Sequence, residues 1–468
     1  MKLRQKKLFW LSFIALTLLK TYLCFHFPIM VDEAFSYVFL VGKGPLVAMS
    51  YYPGPNNHVA YTLLASLFAM LPIGALEALR LPNLAISTIF LFLTFLVLKK
   101  HTSFKTAYFY VFLFACSPYA LMYSFLGRGY FLLSAWAFLA LWASLKAIVG
   151  GQKRYWVIFV LSSVFGLYTV PTYLYALASN GFLLLIICLQ TQHYSNIKAL
   201  LLNGLTILFL TLLLYSPILL FSGWEALAGN RWVQSLTFSQ FIETFPSYLY
   251  TIHDDLIDIP PLSLGILVIA WLGAIFIKKN FWKNEAFRKL NPLLVATYCL
   301  LPLLFLLIQR VQPFSRVWLY KGMFDFFAIA LSILFCMDFL GKKFQLSQKW
   351  QTTLLGVLLM AYLGHNIHTI ERWIHNPHSL YRQVPQLIQQ LPQQAGLKVF
   401  TNQDSYNVLL RYHYQSHQLP IHVEVEKYPE SGEYDYLILD KKTSVQIPSG
   451  YELMYQDEYV KSFYKSND

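Results

Sequence analysis

Long apolar runs, parted by short basic stretches, dominate this chain and leave it few folding options. They fall at about 8–28, 81–98, 106–124, 130–149, 155–170, 173–189, 199–220, 262–277, 292–308, 317–339 and 352–367. A helix needs about 20 apolar residues to cross a hydrocarbon core ~30 Å thick, and the lipid forces its backbone to hydrogen-bond internally. The runs therefore predict an all-α polytopic membrane protein of about eleven transmembrane helices. Composition agrees. Of 468 residues, 57% are apolar and 13% charged, about half the charge of an average soluble domain. A soluble globule and a disordered chain are both excluded. The formal charge of +13 is read first as a topology signal, and nucleic acid is not expected as a partner. All five cysteines lie in apolar runs without metal spacing and read as small buried hydrophobes.

The N-terminal run follows Lys2, Arg4, Lys6 and Lys7, as in a signal peptide. It is longer than such an h-region, no small-residue cleavage site follows, and ten more runs do, so it reads as an uncleaved anchor. Segment 58–74 (HVAYTLLASLFAMLPIG) sets the topology. If it lies at the interface or re-enters, the N-terminus and loops 99–105, 146–154, 190–198, 278–289 and 341–349 share one side, together with most Lys and Arg. Lys43, Arg80, Arg128, Arg231, Arg310, Arg316 and Lys321 then occupy the other side. If it spans, the bias inverts. The positive-inside rule thus predicts a non-spanning 58–74, a cytoplasmic N-terminus and an outer C-terminus.

The outer side is also where carboxylates collect: Asp32, Glu33, Glu77, Glu225, Glu243, Asp254, Asp255 and Asp258. Its cations are mostly Arg, which grips phosphate bidentately. From about residue 380 the chain becomes polar. KVFTN, IHVEVEK and YDYLILD read as short strands and VLLRYHY as a helix. The expected organisation is a membrane domain over 1–367, with a first outer loop at 29–80 and a long outer loop at 221–260. A linker and small outer α/β domain follow over 368–468.

Several segments carry chemistry. In PIMVDEAFSY, adjacent Asp32 and Glu33 follow a span directly; repulsion between them suits a general base, and an acidic helix start is the plainer reading. In YYPGPNNHVAYTLL, Asn57 and His58 have the groups to bind sugar or phosphate. Asn57 equally suits a helix cap, and His58 is balanced between packing and function. Arg80, in ALRLPNL, is a ligand cation or an interface snorkel. Arg128 sits in the glycine turn of SFLGRGY beside Tyr130, either approaching a ligand closely or anchoring the turn. In QRVQPFSRVWLYKGMFDFF, Arg310, Arg316 and Lys321 crowd one proline, more cations than topology requires and suited to an anion. Lys321 and Asp325 stand four apart and are expected to pair. In TIHDDLIDIP, His253, Asp254, Asp255 and Asp258 raise the question of a divalent cation, Mg²⁺ or Mn²⁺. Their spacing matches no metal motif, so no metal ligand is assigned there or at His365 and His368.

The order VDEAFSY, PNNHVAYTLL, LRLPNL, SPYALMYSFLGRGY, PFSRVWLY resembles the GT-C membrane glycosyltransferases over roughly residues 1–330. The likeness is to the bacterial lipid A, protein-O-mannosyl and aminoarabinose transferase group. That resemblance implies a GT-C-like fold and transfer of a sugar from a polyprenyl-phosphate donor to a lipid, glycan or protein acceptor on the outer face. It implies an inverting displacement with Asp32 as catalytic base and Glu33 beside it. Asn57, His58, Arg80, Arg128, Tyr130, Arg310, Arg316 and Lys321 are then the expected substrate-binding set. Family sequences commonly read His-Pro-Pro where this chain reads Asn-Asn-His-Val. Two alternatives stand beside this reading: a transporter or flippase of lipid-linked sugars, and a GT-C-like polymerase or ligase. No internal repeat of the kind transporters show is visible.

Overall fold

The computed structural model describes residues 3–192, 194–229, 234–277, 281–283, 290–375, 380–424, 434–441, 446–456 and 460–466. Arg231 and parts of loop 278–289 and strand segment IHVEVEK lie outside them. Among the described residues, eight helices are long and apolar enough to cross a membrane: α1 (Leu3–His26), α5 (Ala75–His101), α8 (Tyr130–Ile148), α10 (Tyr173–Gln190), α11 (Tyr194–Phe221), the 290–309 segment, α17 (Leu319–Lys343) with the turn before it, and α18 (Gln348–His375). The 290–309 segment comprises α15 (Leu290–Leu294), a π-helical turn over Val295–Leu300, and α16 (Leu301–Gln309). The other expected spans fall on the shorter apolar helices α6 (Phe104–Ala115), α9 (Tyr155–Thr169) and α14 (Ser263–Phe276). The chain is thus an integral membrane protein, and every expected run carries a helix.

Between the spans lie α2 (Val31–Phe39), α3 (Pro45–Ser50), α4 (Val59–Phe68), α7 (Pro118–Tyr123), α12 (Gly223–Ala228) and α13 (Phe238–Ile257). At 1.5 Å per residue, the 10-residue α4 reaches about 15 Å, half a hydrocarbon core. Helix α13 begins with a capping box, Thr237 Oγ1 accepting from the Gln240 amide while the Gln240 side chain accepts from the Thr237 amide. That device satisfies two backbone donors of the first turn reciprocally.

The structure divides into two compact units. The first comprises Met1–Cys24, Met49–Tyr61 and Arg80–Thr369. Its core is built by α8 on α9, α14 on α17, α9 on α11 and α6 on α17. Helix α11 exposes Leu202, Leu205, Phe209 and Leu212, the surface a helix turns toward lipid. Ring contacts such as Tyr110 on Phe327 (5.4 Å) and Tyr298 stacked on Phe324 (3.9 Å) fill the interior.

The second unit comprises Phe25–Ala48, Thr62–Leu79 and Ile370–Asp468. It holds α19 (Leu380–Gln390), α20 (Asp404–Ser416) and a five-stranded sheet of order β2-β1-β3-β5-β4. The strands are β1 (Leu397–Thr401), β2 (Ile421–Glu424), β3 (Tyr436–Asp440), β4 (Tyr451–Gln456) and β5 (Val460–Lys465). β1 pairs in parallel with β2 and β3, while β5 runs antiparallel to β3 and β4. The three strands and the helix read from the sequence are present. The β4–β5 hairpin was not read, because YELMYQ and YVKSFY alternate polar and apolar residues too weakly. Helix α2 packs on α20, with Tyr37 edge-on to Tyr412 at 5.5 Å.

Candidate functional site

The first unit gathers a cationic cluster around the glycine turn that starts α8. Asn83, on α5, gives its amide N–H groups to the carbonyls of Tyr123 (2.8 Å), Leu126 (2.6 Å) and Arg128 (2.9 Å). One buried side chain thereby fixes the turn from Tyr123 to Arg128. Gly129 follows because nothing larger fits: a Cβ there would stand 2.7 Å from Thr169 Cγ2 and 3.0 Å from His58 Cβ.

Arg128 is buried. Its Nη1 donates to the Asn56 carbonyl (2.9 Å) and its Nη2 to Asn56 Oδ1 (2.5 Å). Nη2 also stands 3.2 Å from His58 Nε2. The Gly129 amide donates to His58 Nδ1 at 2.8 Å, so Nδ1 is an acceptor and carries no proton. Burial, then the Arg128 and Arg316 charges, hold the His58 pKa well below its ordinary value, so the ring is neutral and its single proton sits on Nε2. His58 and Arg128 consequently present N–H donors side by side, the kind of group from which an oxyanion accepts.

Tyr130 ties this pair to Arg316. Its ring meets His58 edge-on at 4.5 Å and lies 5.9 Å from the Arg128 guanidinium, and its hydroxyl accepts from Arg316 Nε at 3.0 Å. Arg316 lies in the 3₁₀ turn Ser315–Trp318, half-buried, with its guanidinium 4.5 Å over the Phe314 ring. Asn57 gives its amide to the Tyr51 carbonyl (3.0 Å), which shapes the loop that carries Asn56 and His58.

The three other expected cations have different surroundings. Arg80 is wholly buried, with Nη1 donating to the Cys24 carbonyl (2.8 Å) and its guanidinium 5.9 Å from the Phe125 ring. It ties α5 to a carbonyl of the last turn of α1, deeper than a snorkelling residue lies. Lys321 is also wholly buried. Its Nζ donates to Asp325 Oδ2 (2.7 Å), lies 3.1 Å from His253 Nε2 and stands 4.8 Å over the Trp271 ring. The expected four-residue pair therefore forms, but inside the protein, where Trp271 Nε1 also donates to Asp325 Oδ1 (3.0 Å). Arg310 is exposed, in a left-handed conformation (φ 54°) that ends α16.

The second unit holds the acidic pair in the first turn of α2, where the helix dipole favours negative charge. The two residues differ. Glu33 is buried and its Oε2 accepts from the Met30 amide (3.1 Å), so it caps its own helix. Asp32 is half-buried and its carbonyl accepts from Ser36 Oγ (2.9 Å). Elsewhere Asp254 accepts from Ser263 Oγ (2.9 Å), and His365 Nε2 lies 2.7 Å from the Asp258 carbonyl oxygen and 3.3 Å from its carboxylate. Among the described residues, no group of three or more His, Cys, Asp or Glu is arranged to hold a metal.

Sequence reasoning did not find Asn83, or His253 and Trp271 beside Lys321. An asparagine inside an apolar span was the available signal for the first, since a buried amide must find hydrogen bonds.

The fold defines a class, a polytopic membrane protein of the GT-C fold. Neither a family model nor a curated protein matches the chain by sequence. Solved structures do match: ArnT from Cupriavidus metallidurans bound to undecaprenyl phosphate, at TM-score 0.62, 11% identity and 97% coverage of both chains. The same ArnT in the apo state gives TM-score 0.61, 12% identity and 97% coverage of both. At this identity the likeness establishes the fold, and the chemistry is argued from the residues.

Proposed function

We propose that the protein is a membrane glycosyltransferase that moves a sugar from a polyprenyl-phosphate donor to a lipid, glycan or protein acceptor. The observation that carries this is the cluster of N–H donors on His58 and Arg128, joined through Tyr130 to Arg316, in a chain whose structural neighbour binds undecaprenyl phosphate. A polyprenyl phosphate is a lipid with its charge at the interface, and such a cluster offers it charge-assisted hydrogen bonds.

In the reaction the acceptor oxygen attacks the anomeric carbon as the bond from that carbon to the phosphate oxygen breaks. The hydroxyl proton passes to Asp32 as general base, and the bonding pair leaves with the phosphate. Arg128, Arg316 and the His58 Nε2–H stabilise the charge that builds there. Asp32 is favoured over Glu33 because Glu33 already caps α2. Arg310 is exposed near the same turn and is a further candidate for the donor; Asn57 acts through its loop. The lysine-rich loops favour an inner-membrane orientation with the N-terminus cytoplasmic and the chemistry outside.

The test is release or transfer of sugar from a panel of polyprenyl-phosphate sugars by purified wild type and Asp32→Asn, with EDTA and with Mg²⁺ or Mn²⁺. Turnover by the wild type alone is expected, and the EDTA arm decides the metal requirement. Normal turnover by Asp32→Asn removes the base assignment.

A further inference from the structure

We infer that Tyr248, on the loop helix α13, is a positioning residue for Arg316. Its hydroxyl accepts from Trp318 Nε1 (2.8 Å) and donates to the Pro313 carbonyl (2.7 Å). Those two partners flank Arg316 on either side, so one phenol closes both ends of the turn that presents the guanidinium. The bonding is chemically complete, since a phenol has one O–H to give and lone pairs to receive. Burial raises the Tyr248 pKa above its ordinary value, with Tyr175 adding to the rise and the Trp318 bond opposing it. The phenol therefore keeps the proton it donates.

The rest of α13 seats the same segment. Gln312 Nε2 donates to Thr244 Oγ1 (2.8 Å), and the Leu236 amide, just before the helix, donates to the Arg310 carbonyl (2.9 Å). One turn after the Arg316 turn, His253 receives Lys321. His253 Nδ1 lies 2.7 Å from the Leu249 carbonyl of its own helix, so Nδ1 carries the proton and Nε2 accepts from Lys321 Nζ. Burial and the Lys321 charge keep this ring neutral, as that role requires. Nothing in α13 needs to touch substrate; it holds the loop whose arginine does.

This inference rests on the phosphate role proposed for Arg316, and the experiment separates the two. Full-length wild type, Arg316→Ala, Tyr248→Phe and the double variant are titrated with undecaprenyl phosphate, and binding is followed by native mass spectrometry. Thermal midpoints are recorded in parallel. Arg316→Ala is expected to weaken binding at least tenfold. Tyr248→Phe keeps the ring and loses both hydrogen bonds, and about fivefold weakening is expected. The double variant should match Arg316→Ala alone, because a residue that acts through Arg316 has nothing left to act on. Multiplying effects, or wild-type binding by Tyr248→Phe, would overturn the positioning role while leaving Arg316 in place. No binding by wild type, or no loss in Arg316→Ala, would overturn the phosphate reading and this inference with it. If Tyr248→Phe does not fold, Trp318→Phe removes one of the two bonds and is read the same way.

Discussion

The buried Lys321–Asp325 pair allows a prediction that separates scaffold from ligand contact. Both side chains are almost fully buried, with charged atoms 2.7 Å apart. At an effective dielectric of about 20 their attraction is about 6 kcal/mol, offset by several kcal/mol of desolvation for each ion. The pair as a whole is therefore close to neutral, whereas removing one member strands the other. Lys321→Met leaves Asp325 with the Trp271 indole N–H, and Asp325→Leu leaves Lys321 with His253 and the Trp271 face. Each single variant should lose about 3–5 kcal/mol, while Lys321→Met/Asp325→Leu should lie within about 1 kcal/mol of wild type or above it. Unfolding in SDS mixed micelles, followed by tryptophan fluorescence, gives the cycle. A coupling of at least about 3 kcal/mol is expected. Single variants that cost little and add simply would refute the buried pair. The double variant also decides the role of the lysine: if Lys321 met phosphate, a well-folded double variant would lose undecaprenyl phosphate binding.

Two further perturbations test the packing of each unit. Gly129→Ala puts a methyl 2.7 Å from Thr169 Cγ2 and 3.1 Å from His58 Nδ1. His58 must shift, so undecaprenyl phosphate binding should weaken about tenfold against a stability cost of about 1–3 kcal/mol; unchanged affinity would remove His58 from the anion site. In the second unit, burial and then His417 depress the His413 pKa to about 4. A base depressed when folded is neutral in both states above pH ~6.5, and below it the unfolded chain gains the proton first. Its penalty therefore grows as pH falls from ~6.5 toward 4, reaching about 3 kcal/mol. His413→Gln should gain in thermal midpoint relative to wild type over that range, and a constant difference would refute the assignment.

What was legible in the sequence follows from how strongly each feature is forced. The spans were legible because lipid demands apolar length, and the Lys321–Asp325 pair because four residues bring side chains together on any helix. The burial of that pair was not legible, since it depends on His253 and Trp271 arriving from other helices. Asp32 and Glu33 were indistinguishable as letters. They separate only because an acid at the third helical position reaches back to the residue before the helix, leaving its neighbour to face elsewhere. Asn83 and Tyr248 were missed for one reason: each bonds groups more than 35 residues away in sequence.

Those bonds are also of a kind compatible with a fold likeness at 11% identity and TM-score 0.62. Much of the cluster is held by side chains that bond main chain. Asn83 takes three carbonyls, Arg128 Nη1 takes that of Asn56, the Gly129 amide meets His58, Arg80 meets the Cys24 carbonyl, and Tyr248 meets that of Pro313. A backbone partner is present whatever residue carries it, so such a bond survives substitution at one of its two ends. Only the side-chain end is constrained, and that end is short: an amide, a guanidinium, an imidazole or a phenol in the right place. Asn56 contributes a carbonyl as well as its side chain to Arg128, and His58 takes its tautomer from a glycine amide. The expected consequence is that motif order outlasts motif spelling, which is the form in which the likeness appears in this sequence.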